Sequence, residues 1–87
     1  MPKVLVVGEF AVIIFLNDHP PAHVHVRKGR MLAKVGLSPQ ITLLRYDKDL
    51  SKADLRKMLT IVLEHQQFLL EKWNEIHPND PTEGNDE

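Results

Sequence analysis

Residues 23–27 read His-Val-His-Val-Arg, and this alternation limits the local fold more than any other stretch. Successive side chains of a strand point to opposite faces of a sheet. Extended, the segment places Val24 and Val26 on one face and His23, His25 and Arg27 on the other. The valines suit a core, so the imidazoles and the guanidinium line the opposite surface. The residues just before, Asn17-Asp18-His19-Pro20-Pro21, form a stiff corner. Proline fixes its own φ and pushes the residue before it toward extended geometry. Asn17 or Asp18 can bond the local backbone and open a turn.

The segments around this strand have strand character. Lys3–Val7 and Phe10–Leu16 are rich in β-branched and aromatic residues and are separated by Gly8-Glu9, a tight-turn pair. The second run is apolar on both faces, so each of its faces needs cover. Lys28-Gly29 turns the chain into residues 31–37, where Ala33, Val35 and Leu37 alternate with Lys34 and Gly36. Residues 40–45 read as a short fifth strand after the Ser38-Pro39 break.

Helical periodicity begins at Ser51. Ser51 and Asp54 have the spacing of a capping box, and Leu50 and Leu55 that of a hydrophobic staple. Leu55, Leu59, Val62, Leu69, Leu70, Trp73 and Ile76 gather on one arc, with Met58 and Leu63 at its edges. Pro78 stops the helix. Ile61 and Phe68, seven residues apart, share a line away from that arc, which makes them candidates for a dimer or partner seam. The expected architecture is α+β: an antiparallel sheet of four to five strands with one long C-terminal helix, 51–76, on one face. Residues 1–77 make a single domain. Residues 78–87, with Pro, Gly and acid and no large apolar side chain, read as a disordered acidic tail.

Composition removes several classes of function. The chain of 87 residues has no cysteine, which excludes disulfides and thiolate metal sites and fits a reducing cytoplasm. The run Phe10–Leu16 is far shorter than the ~20 apolar residues of a membrane span, and no signal-peptide pattern precedes it. The net charge is −1, but Asp80, Glu83, Asp86 and Glu87 leave +3 on residues 1–77. Arg27, Lys28, Arg30 and Lys34 form the densest basic group, a candidate site for phosphate or nucleic acid. At 87 residues, burying further surface in a homo-oligomer or partner complex would add stability.

Three readings stand for the histidine face. In the first, the histidines bond backbone carbonyls or form a polar patch at a protein interface. In the second, His23 and His25 exchange protons on a phosphodiester while Arg27 and Lys28 hold the phosphate, as in a metal-independent ribonuclease. In the third, His23 and His25 ligate a metal ion with His19 or Asp18 as a further group. No cofactor is otherwise implied. His65 and His77 read as structural.

Several motifs share one likeness. Met1-Pro2, the apolar double strand, Asp18-His19-Pro20-Pro21-x-His23-x-His25, Ala33-Lys34, Leu50-Ser51-x-x-Asp54-Leu55-Arg56, Glu64-His65 and Leu69-Leu70-x-x-Trp73 resemble the small prokaryotic family known as domain of unknown function 4160. The likeness spans residues 1–77, and the histidine–proline signature is its specific part. Ala22 stands where the family has a third proline or similar small residue. No catalytic or binding role carries over to single residues. Family members resemble pieces of two-gene modules of the toxin–antitoxin kind. That implies a small cytoplasmic interaction module with a protein partner, the product of a neighbouring gene, and is compatible with a nucleic-acid target.

Overall fold

The computed structural model describes residues 3–78. Five strands, β1 (Lys3–Val7), β2 (Phe10–Ile13), β3 (His23–Lys28), β4 (Met31–Gly36) and β5 (Thr42–Tyr46), precede helices α1 (Lys52–Glu64) and α2 (Gln66–Ile76). The strands form one antiparallel sheet in the order β1-β2-β3-β4-β5. This is the expected α+β class. Apart from Pro78, the tail expectation lies outside the described residues. Among those residues no helix is long and apolar enough to cross a membrane.

Sequence chemistry explains the turns. Gly8 and Gly29 sit at φ 59° and 62°, where a side chain would be strained, and each leads a hairpin. β2 stops at Ile13 rather than Leu16 because Asp18 captures the backbone behind it. Its Oδ2 accepts the Phe15 N–H at 3.0 Å, and its own N–H donates to the Phe15 carbonyl at 3.1 Å. That diverts Phe15 and Leu16 from the ladder into a turn.

The core lies between one sheet face and the helices. Phe10, Val12, Ile14, Val24, Val26, Ala33, Val35 and Leu37 come from the sheet side, and Met58, Ile61, Val62, Leu69 and Trp73 from the helices. Each fully buried aliphatic side chain contributes about 1.5–3 kcal/mol of transfer free energy. β2 is buried on its other face as well: Ala11 and Ile13 are covered but lie outside this cluster.

The single long helix expected over 51–76 is instead two helices that meet at His65. His65 Nδ1 donates to the Ile61 carbonyl at 2.8 Å, while its backbone N–H is shared between the Ile61 and Val62 carbonyls at 3.2 Å each. The ring and the backbone N–H thus share the Ile61 carbonyl at the residue where the helix is interrupted. α2 is then tied to the sheet by Gln66 Nε2, which donates to the Leu37 carbonyl at 3.0 Å. Met58 and Ile61 are buried, while Leu63, at the edge of the expected arc, is 63% exposed.

α1 begins as its sequence demands. Ser51 Oγ accepts the Asp54 N–H at 3.0 Å, and Asp54 Oδ2 accepts the Ser51 N–H at 3.4 Å. Lys28 Nζ donates to Asp54 Oδ1 at 2.8 Å, clasping β3 to the helix start. The hydrogen bond from Lys28 leads in holding Asp54 below its ordinary pKa of 3.8. Its contribution to stability is therefore complete above that value and is lost as the pH falls through the lowered one. Ser51→Ala should cost about 1 kcal/mol and lower the thermal midpoint by roughly 4–8 °C, read by circular dichroism.

Candidate functional site

The site lies where the corner 15–22 meets the start of β3. His23 Nδ1 bonds the Pro21 carbonyl at 3.0 Å, and the Leu37 N–H donates to the Ala22 carbonyl at 2.9 Å. The Pro20–Pro21 and Ser38–Pro39 peptide bonds are cis. The alternation holds: Val24 and Val26 are fully buried against the helices, and His25 points to the other face. His23 departs from the expected exposed face. It is 5% exposed, with the Trp73 ring centroid 5.2 Å away. His25 is half-buried, 4.9 Å from the Phe15 ring and 5.5 Å from the His23 ring.

Asp18 gathers both imidazoles. Its Oδ1 lies 3.4 Å from His23 Nε2 and its Oδ2 lies 3.9 Å from His25 Nδ1. Asp18, His23 and His25 thus each offer a ligand atom, all within 4.8 Å of one another. The His25 Nδ1 atom is buried and has no hydrogen-bond partner. Desolvation lowers the His25 pKa; Asp18 opposes that shift, while His23, Lys34 and Arg45 reinforce it. The ring therefore favours its neutral form.

Beyond His25 the sheet face is uncovered. Register places His25 opposite Lys34, and Lys34 opposite Arg45. With strands spaced about 4.8 Å apart, one imidazole and two cationic side chains form a row across three strands. Arg30, Leu32, Tyr46 and Asp47 complete the lining of this cleft. A second cleft, bounded by His19, Pro20, His23, Lys34 and Leu44, opens beside the corner.

The remaining sequence candidates scatter. His19 is exposed and lies outside the Asp18 cluster. Arg27 lies on the face of His25 but pairs with Ala11 and Leu32, and it does not line the cleft. Lys28 cannot serve the phosphate role expected beside Arg27, since it faces the helices and is held by Asp54 and Glu9. Arg30 and Lys34 do reach the cleft. Ile61 is 7% exposed and belongs to the core, whereas Phe68 is 37% exposed with Lys72 Nζ 5.6 Å from its ring centroid. The two do not share an exposed seam, because Ile61 borders the buried arc of Met58, Val62, Leu69 and Trp73 and packs into the core with them. His65 and His77 each donate Nδ1 to the carbonyl four residues back, the structural role expected of them.

Arg45 and Trp73 belong to this region and were not singled out for it by sequence. Arg45 joins only through strand register, and Trp73 reads as ordinary core until the fold brings His23 against it. No curated protein and no solved structure matches the chain. A family model matches residues 10–74, most of the chain, and its description is "Domain of unknown function (DUF4160)". The protein with this aspartate–histidine cluster on a five-stranded meander therefore belongs to the DUF4160 family.

Proposed function

We propose that the chain is a small cytoplasmic binding module of a toxin–antitoxin-like pair, and that its uncovered sheet face docks an acidic, partly apolar segment of a protein partner. The observation that carries this reading is the row His25–Lys34–Arg45 on a face without helix cover. Exposed Leu32 and Leu44 flank the cations. Arginine and apolar side chains together are characteristic of protein interfaces, whereas a phosphate backbone has no use for exposed leucines. A metal-independent ribonuclease fits less well. Both His23 ring nitrogens face protein groups, and its ring is buried, so it cannot meet a phosphate opposite His25.

Co-expression with the product of the adjacent gene tests this. The wild-type pair should sediment as one complex that weakens with salt. Lys34→Glu/Arg45→Glu should weaken it at least tenfold while leaving the thermal midpoint within a few degrees. A complex of unchanged affinity in the double variant, or none with the wild type, would refute the proposal.

A further inference from the structure

We infer that Asp18, His23 and His25 form a binding site for one divalent transition-metal ion of the zinc class. This goes beyond the docking role, with which it shares only the edge of the site at His25 and Lys34, and rests on the donor atoms of the Asp18 cluster. The Pro21 carbonyl can only accept a hydrogen bond, so His23 Nδ1 carries the hydrogen. A neutral His23 then presents the Nε2 lone pair. That lone pair lies 3.4 Å from Asp18 Oδ1, a second acceptor. With His23 neutral, two acceptors face each other inside the protein, an arrangement that a bound metal ion relieves just as a proton on Nε2 would in its absence. His25 adds a third such atom: Nδ1 is buried, has no hydrogen-bond partner, and lies 3.9 Å from Asp18 Oδ2.

The spacing suits one ion. Ligand atoms at 2.0–2.1 Å from a tetrahedral zinc are about 3.3–3.4 Å apart. The His23–Asp18 pair is already at that separation, and all three donors lie within 4.8 Å. Small rotations of the half-buried His25 and Asp18 side chains close the rest. Outer partners already orient two ligands: the Pro21 carbonyl holds His23, and the Phe15 N–H holds Asp18. Two imidazoles and one carboxylate select zinc, cobalt or nickel over magnesium or calcium, which favour all-oxygen sites. Three protein ligands leave a coordination position open, and Lys34, paired with His25 across β3 and β4, favours an anion there.

The test is a titration of chelator-treated, untagged full-length protein with Co²⁺, followed by visible absorption, and then displacement by Zn²⁺. One equivalent of Co²⁺ should saturate the wild type with the intense bands of four-coordinate cobalt, and zinc should abolish them. His25→Ala and Asp18→Asn should each weaken binding at least 100-fold, while His19→Ala should bind like the wild type. His25 is half-buried, so His25→Ala should keep its fold, checked by near-ultraviolet circular dichroism. No saturation of the wild type at millimolar cobalt would overturn the inference. So would wild-type affinity in a folded His25→Ala protein, or loss of binding in His19→Ala.

Discussion

Trp73→Ala should remove a large share of the stability of the domain. The side chain is fully buried, and its ring is 5.2 Å from His23 and 4.1 Å from His77. Truncating a buried tryptophan costs about 3–5 kcal/mol through lost transfer energy and the cavity left behind. A domain of this size holds only about 5–15 kcal/mol in total. The thermal midpoint should fall by roughly 15 °C or more, measured by far-ultraviolet circular dichroism because the only tryptophan is gone. The variant should also loosen His23, since the indole covers the imidazole that Pro21 and Asp18 hold in place. A loss below about 1.5 kcal/mol would mean that α2 contributes little to the core.

The second large effect comes from exchanging neighbours on β3. Val24→His places an imidazole in a fully closed position of the apolar core. The lost valine burial and the unpaired ring nitrogens together cost about 3–5 kcal/mol. His25→Val, one residue on, should change stability by no more than about 1 kcal/mol. It removes a buried nitrogen without a partner and installs a residue suited to strands. Urea midpoints for the two variants give the comparison directly. Equal losses at the two positions would contradict the assignment of opposite faces.

These contrasts mark what the amino-acid order reveals. Alternation over residues 23–27 and 31–37, glycines at the hairpin tips, and the Ser51–Asp54 pairing are local signals, and the strands, turns and helix start appear where those signals lie. Two departures are local in cause but not legible beforehand. Asp18 could bond any of several backbone groups, and its choice of Phe15 shortens β2. His65 lies within an uninterrupted helical pattern, and the helix is interrupted where its ring bonds the Ile61 carbonyl. The site needed non-local information. His23 and His25 can be read as neighbours from their spacing, but Lys34 and Arg45 join them through pairing across β4 and β5. The burial of His23 comes from Trp73, fifty residues further along the chain.

The meander has a consequence for how the molecule is made. Every strand after β1 pairs with the one preceding it in the chain. During synthesis each new strand emerges with its template already in place, so the sheet can grow from its amino end without waiting for a distant segment, and local pairings of this sort favour rapid assembly. The helical layer is different, since Met58, Val62, Leu69 and Trp73 leave the ribosome after all five strands. Until then the nascent sheet presents a bare apolar surface. That interval is when the growing chain is most exposed to aggregation and to capture by chaperones.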